Sequence, residues 1–97
     1  KDYIYTVLNN TICHLDEINE IIRKHAIGWT IDRIANVDLA IIQLALTEIL
    51  YIEDIPYNVS INEAVELAKK YSEDEASSFI NGILGGFVVK EGIKRDE

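Results

Sequence analysis

The sequence predicts an all-α protein: a helical bundle of four main helices plus a short helical turn, in a single domain over residues 1–97. Two observations predict this fold. Apolar residues recur every three or four positions, which is the spacing of helices and not of strands. Hydrophobic residues make up 48% and charged residues 27% of the chain, which is a globular balance for its 97 residues.

The first helix is predicted to be a single long helix that begins near Tyr3 and ends at Gly28, since glycine is typical of a helix end. A short segment from Trp29 to Ala35 then holds one helical turn. The predicted apolar face of the long helix consists of Ile4, Leu8, Ile12, Leu15, Ile18, Ile22 and His25, widened by Tyr3, Val7 and Ile21.

The second helix is predicted over residues 37–51, with Asn36 as its N-cap and Asp38 in its first turn, where the helix dipole favours an acid. Apolar residues cover nearly its whole circumference, which indicates a helix at the centre of the bundle. Pro56 ends the helical stretch, because the residue before a proline disfavours the helical conformation. Glu48 lies on an apolar stripe and needs a partner, for which Arg33 is the candidate.

The third helix is predicted to open at Ser60, because Ser60 and Glu63 have the spacing of a capping box. An acidic turn over residues 72–74 is predicted to cap the fourth helix, and the residues after Gly92 are expected to fray. The apolar stripe of the fourth helix consists of Ala76, Phe79, Ile80, Ile83, Leu84, Phe87 and Val88.

Composition and spacing exclude several classes of function. The net charge of −8 argues against nucleic-acid binding by the bulk of the protein surface, because such binding needs a basic surface. Cys13 is the single cysteine, so no internal disulfide forms, and the apolar runs are too short for a membrane span. Without a signal peptide, the chain is expected to be cytoplasmic. Convergent metal ligands or a nucleophile with its base are missing, so we expect no enzyme activity, metal or cofactor.

The chain contains no methionine and begins Lys-Asp-Tyr, which indicates a processed or truncated piece of a longer product. Six short motifs follow one another in a fixed order along it. They are Trp29-x-x-x-Arg33-Ile34, Val37-Asp38-x-Ala40-Ile41, Ala45-x-x-Glu48-Ile49-Leu50, Asp54-Ile55-Pro56-Tyr57-x-Val59, Ile61-Asn62-Glu63-Ala64-Val65-Glu66-Leu67-Ala68-Lys69 and Phe79-Ile80-Asn81-Gly82-Ile83-Leu84.

Together these motifs resemble the NusB family of bacterial transcription antitermination factors, and the resemblance covers nearly the whole chain. It implies an all-helical fold and a non-catalytic adaptor that pairs with NusE, a small-subunit ribosomal protein, and binds the boxA element of nascent RNA. The pair would act in the RNA polymerase antitermination complex, notably on ribosomal RNA operons. The alternative that the resemblance leaves open is the RNA-docking domain of a ribosomal RNA cytosine methyltransferase.

The resemblance also implies two sets of site residues. Members of the family often carry basic residues at the positions of Leu39, Gln43 and Ser78, and their absence weakens the expected RNA binding. The expected protein-partner residues are Asp38, Tyr57, Asn58 and Glu63, and the expected RNA-binding residues are His25, Glu75, Ser78 and Phe79.

The arginine-rich N-terminal helices of the family are not part of this chain, and the first helix would pack against them. Without them, we expect this helix to expose a large apolar patch and to form a homodimer, including by exchange of the helix between the two copies. The patch is expected to consist of Tyr3, Ile4, Val7, Leu8 and Ile12.

Overall fold

The computed structural model describes residues 2–92 and is all-helical over that range, which confirms the predicted fold class. It shows five α-helices where four were predicted, together with the predicted helical turn, which is a 3-10 turn. The elements are α1 (Asp2–Cys13), α2 (Leu15–His25), the 3-10 turn (Ile31–Arg33), α3 (Asn36–Tyr51), α4 (Tyr57–Tyr71) and α5 (Ala76–Glu91).

Helix α3 lies at the centre of the bundle, as its all-round apolar surface predicts. It contacts α1, α2, α4 and α5, and its residues Ile42, Leu46 and Ile49 are completely buried. Helix α5 packs against α2, α3 and α4, and its predicted stripe is buried except for the half-buried Phe79. The core therefore forms where an apolar surface on one helix meets apolar surfaces on several others.

The prediction of one long first helix is wrong, because the chain turns at His14 between α1 and α2. The His14 ring stacks on the ring of Tyr51 from α3, with 4.0 Å between the ring centroids. Next to the turn, the side chains of Asn10 and Thr11 donate hydrogen bonds to backbone carbonyls four residues earlier. Side chains that bond back in this way favour a bend, and the stacking contact holds the chain at that bend.

Helix α1 buries a different face from the one predicted. Val7 and Thr11 face the core, and the Thr11 hydroxyl forms a 2.7 Å hydrogen bond with the Thr47 hydroxyl of α3. The predicted face of Ile4, Leu8 and Ile12 is instead exposed. The patch expected from the sequence is therefore present, except that Val7 is buried. On α2, Ile18 and Ile22 are fully buried, as predicted.

Helix α4 begins at Tyr57, with Pro56 as its N-cap, so the predicted capping box at Ser60 is wrong. Ser60 lies inside the helix and is 1% exposed. Its hydroxyl donates a hydrogen bond to the Glu48 carboxylate of α3, with 2.8 Å between the two oxygens. The serine that looks like a cap is thus a buried contact between two helices.

The caps predicted for α3 and α5 also differ from the structure. Ala35 is the N-cap of α3, so Asn36 is already inside the helix. Glu75 is the N-cap of α5 and makes no side-chain capping bond. Ser72, from the predicted acidic cap, donates a hydrogen bond to Asp38 instead. Gly92 ends α5 in the left-handed conformation, with φ +67°. The fraying predicted after Gly92 lies outside the described residues.

Within residues 2–92, no helix is both long enough and apolar enough to cross a membrane.

Candidate functional site

The four residues expected to bind RNA lie at one corner of the bundle, where the segment between α2 and α3 meets the start of α5. His25, Ser78 and Phe79 line a shallow cavity there, together with Trp29. Phe79 also lines a neighbouring cavity, and Glu75 lies on the wall of that second cavity. The fold thus brings together residues that are up to 54 positions apart in the sequence. We call this region the aromatic corner.

Ring contacts give the aromatic corner its shape. The Trp29 and Phe79 rings meet edge to face, with 5.8 Å between their centroids, and the His25 ring meets Phe87 in the same way at 5.9 Å. Phe79 is half-buried against the core, whereas Trp29 is 51% exposed. Gly28 precedes Trp29 with φ +85°, a backbone conformation that favours glycine. Trp29 is therefore the ring of this corner that is most available to a ligand.

Trp29 is not among the residues that the sequence predicts to bind RNA. Its signal was present, since a large aromatic residue directly after a helix-ending glycine is placed on a connecting segment, where binding residues concentrate. Only the fold shows that this ring lies beside His25, Ser78 and Phe79.

Charges at the aromatic corner are mixed. The residues that line the second cavity include the basic Arg33 and the acidic Asp38, Glu73 and Glu75. Carboxylates repel phosphate groups, so attraction to an RNA backbone is weak at this place. Contact with RNA here would depend more on stacking than on charge.

The four residues expected to bind a protein partner do not lie together. Helices α3 and α4 are antiparallel, because Asp38 near the start of α3 accepts a hydrogen bond from Ser72 just after the end of α4. Tyr57 and Asn58 lie at the other end of α4, about 22 Å away at 1.5 Å per residue. Asp38 is 9% exposed and lines the second cavity of the aromatic corner, together with Glu75 and Phe79.

Glu63 is exposed on α4 and lines a groove between α1 and α4, whose floor is α3. In this groove the Glu48 carboxylate accepts hydrogen bonds from the Tyr3 hydroxyl and from Ser60. Burial raises the pKa of Tyr3 above its ordinary value, and the hydrogen bond to Glu48 raises it further. Arg33, the expected partner of Glu48, lies beside the opposite end of α3 in the aromatic corner.

Metal-ligating residue types are scattered over residues 2–92. No group of three or more His, Cys, Asp or Glu side chains in that range is placed to hold a metal ion.

Comparison with known proteins gives consistent matches. The model of the NusB family matches residues 1–88. The transcription antitermination protein NusB of Alkaliphilus oremlandii is 55% identical over 97 residues, which are 100% of this chain and 70% of that protein. The protein of the same name from Bacillus subtilis is 51% identical over 78 residues, which are 80% of this chain and 60% of that protein.

Solved structures also match. NusB of T. maritima superposes with a TM-score of 0.85 at 32% identity, over 94% of this chain and 63% of that one. A chain in a crystal structure of a plectonemic RNA supercoil superposes with a TM-score of 0.86 at 29% identity, over 93% of this chain and 65% of that one. The chain thus spans about 60 to 70% of the length of these relatives.

Proposed function

This chain belongs to the NusB family, and from that premise we propose that it acts in transcription antitermination as a non-catalytic adaptor. It pairs with NusE and binds boxA RNA, within the RNA polymerase antitermination complex that transcribes ribosomal RNA operons in the cytoplasm. The observation that carries this proposal is the 55% identity over the whole chain to a relative named transcription antitermination protein NusB.

The RNA surface of the proposal is the aromatic corner. His25, Ser78 and Phe79 meet there beside the exposed Trp29 ring, and unpaired bases stack well on such rings. One structural relative belongs to a crystal structure described as an RNA supercoil, which supports a role in RNA binding. Glu75 lies at the edge of this surface, and its negative charge would keep RNA phosphates away from that edge.

The protein-partner surface of the proposal is the exposed side of α4 near its start, with Tyr57, Asn58 and Glu63. A chain with a net charge of −8 suits a basic ribosomal protein, since opposite charges speed association. Asp38 is largely buried and bonded to Ser72, so it would act mainly by holding the other end of α4 in place.

The alternative function, an RNA-docking domain of a ribosomal RNA methyltransferase, is not favoured. The relatives from Alkaliphilus oremlandii and Bacillus subtilis, at 55% and 51% identity, are both named as transcription antitermination proteins.

Calorimetric titration of the chain with NusE, alone and with boxA RNA present, tests the proposal. We expect binding of NusE by the wild-type chain and loss of this binding in the Asp38→Lys variant. The matched control is Asp16→Lys, which makes the same charge change at an exposed position on α2. Circular dichroism of Asp38→Lys checks that the helices still form without the Ser72 contact. A wild-type chain that binds neither NusE nor boxA RNA would contradict the proposed function.

A further inference from the structure

The second cavity of the aromatic corner has a volume of about 340 Å³, which lies within the size range of ligand-binding cavities. Trp29 and Phe79 line it, and their rings meet edge to face. Phe79 also lines the first cavity beside His25 and Ser78, so the two cavities adjoin. Aromatic rings on the wall of a cavity favour a planar ligand, such as an unpaired base that stacks on them.

Most of the polar side chains that line this cavity accept hydrogen bonds. Asp38, Glu73 and Glu75 are among the lining residues, and an ionised carboxylate accepts hydrogen bonds but donates none. Arg33 lines the cavity too, and its guanidinium only donates. Among residues 2–92, Arg33 forms no ion pair, so its donors are available to a ligand. A ligand that fits therefore offers N–H groups to the carboxylates and an acceptor to Arg33.

Asp38 is the buried residue among these acids. Its Oδ1 atom accepts the hydrogen bond from Ser72, and within residues 2–92 no donor bonds to its other oxygen, Oδ2. Every fully enclosed side-chain oxygen of that range has a partner, so Oδ2 is still reached from outside. A carboxylate that is 9% exposed is poorly hydrated, and a further donor to it is favourable. Asp38 can thus accept one more hydrogen bond from a ligand in the cavity that it lines.

We infer that this cavity binds an unpaired guanine of single-stranded RNA, an inference that rests on the RNA binding proposed above. Guanine alone among the four RNA bases has two adjacent N–H donors, at N1 and N2, on its Watson–Crick edge, with the O6 acceptor beside them. Asp38 and Glu75 accept from the two donors, and Arg33 donates to O6. The base stacks on the aromatic wall. Adenine, cytosine and uracil each offer only one N–H donor group on that edge, so they leave a carboxylate without a partner.

A basic side chain of a protein partner is the other ligand that acidic residues attract. Two features of the cavity favour a base instead. Arg33 on its wall repels a second cation, and Phe79 connects the cavity to the surface proposed for RNA. A nucleobase is uncharged, so carboxylates that repel RNA phosphates still accept its N–H groups. The acidic residues that weaken attraction to the RNA backbone thus select the base.

Fluorescence anisotropy of end-labelled RNA octamers tests this site in the full chain. The octamers consist of uridines with a single guanosine, inosine or adenosine at one central position. We expect the guanosine octamer to bind about 5- to 150-fold more tightly than the adenosine octamer, which is the range for one bidentate contact to a base. Inosine lacks the N2 amino group but keeps N1–H and O6, so its octamer should bind with an intermediate affinity.

Two variants separate recognition of the base from the general attraction of RNA. In Asp38→Asn and Glu75→Gln, an amide NH2 group replaces one carboxylate oxygen and cannot accept from guanine. Each variant should lower the preference for guanosine over adenosine, while the adenosine octamer binds slightly more tightly because a negative charge is removed. The matched control Asp16→Asn makes the same change at an exposed position on α2 and should keep the preference. Glu75 is exposed, so Glu75→Gln tests the site even if Asp38→Asn fails to fold.

Equal affinities for the three octamers would overturn the guanine site and leave RNA binding itself intact. A preference for guanosine that survives in both Asp38→Asn and Glu75→Gln would overturn it as well. If the octamers do not discriminate and Glu75→Gln weakens the binding of NusE, the cavity holds a basic side chain of that partner instead. Failure of every octamer and of boxA RNA to bind would contradict the RNA binding of the proposed function, and the guanine site with it.

Discussion

Ser60 of α4 donates a hydrogen bond to Glu48 of α3, with 2.8 Å between the serine Oγ and the glutamate Oε1. The other carboxylate oxygen of Glu48 accepts a hydrogen bond from the Tyr3 hydroxyl of α1. One carboxylate therefore joins three helices beneath the groove between α1 and α4. A carboxylate in this half-buried position needs such donors, because burial without them is unfavourable.

Replacing Ser60 with alanine should lower the free energy of unfolding by about 1–2 kcal/mol, because Glu48 then loses a donor in a place that water reaches poorly. Urea denaturation measures this change. The control Ser78→Ala removes an exposed hydroxyl and should change stability by less than about 0.5 kcal/mol. Equal stabilities of the two variants would mean that the Ser60 bond adds nothing.

Tyr51 should make the stability of the protein depend on alkaline pH. Burial and the hydrogen bond to Glu17 together raise the pKa of Tyr51 to about 12, and burial is the larger cause. The neutral hydroxyl is thus favoured by folding. Its contribution is complete below the unfolded pKa of about 10 and is lost as pH rises from about 10 to about 12.

Denaturation of the wild type and of Tyr51→Phe across that pH range checks this effect. The loss of stability with pH should be shallower in Tyr51→Phe, while Tyr71→Phe, at an exposed tyrosine, should follow the wild type. A Tyr51→Phe curve parallel to that of the wild type would show that this hydroxyl does not titrate differently on folding.

Trp29 should report RNA binding directly, because it is the only tryptophan of the chain and is half exposed at the aromatic corner. Its fluorescence should change when single-stranded boxA RNA is added. Trp29→Ala should weaken binding about 5- to 100-fold, the range expected for one stacked base. Anisotropy of labelled RNA measures the affinity without relying on the tryptophan. The control Tyr71→Ala, at an exposed tyrosine at the end of α4, should leave that affinity unchanged.

A lysine at position 78 should strengthen RNA binding. Ser78 is exposed beside His25 and Phe79, so a lysine there can reach a phosphate without entering the core. We expect the Ser78→Lys variant to bind RNA more tightly. The slope of log K against the logarithm of the salt concentration should steepen by about one unit, as expected for one added phosphate contact. Asn62→Lys adds the same charge on exposed α4 and serves as the control. Equal gains in both variants would indicate a general charge effect.

Glu63 should affect the rate at which NusE associates with the chain. Removing this exposed charge with Glu63→Gln should slow association at low salt, and the difference should shrink at high salt, where the attraction is screened. Stopped-flow mixing measures the rate. Glu91→Gln makes the same change at the end of α5 and should not slow association at low salt to the same extent. A salt-independent effect of Glu63→Gln would contradict an electrostatic role.

Periodicity alone predicted much of the fold. The all-round apolar surface of α3 places it at the centre, and Pro56 separates it from α4. The stripe of α5 is also mostly buried as predicted. These predictions hold because burial of an amphipathic face is the main local requirement of a helix in a bundle, and this requirement is visible in the sequence.

Features that depend on distant partners could not be predicted in this way. Ser60 has the spacing of a cap, but its partner Glu48 lies on another helix. His14 divides the first helix where its ring meets Tyr51, 37 residues further along the chain. The expected RNA residues do meet at one corner, whereas Asp38 and Tyr57 lie at opposite ends of α4, because α3 and α4 are antiparallel.

The sequence by itself thus determined the helical class, the central helix and the family motifs. The tertiary structure decided which side of α1 is buried, which polar side chains hold the helices together, and which site residues become neighbours. The physical reason is that helical periodicity is a property of consecutive residues, whereas a hydrogen bond or ring contact between helices exists only once their relative positions are fixed.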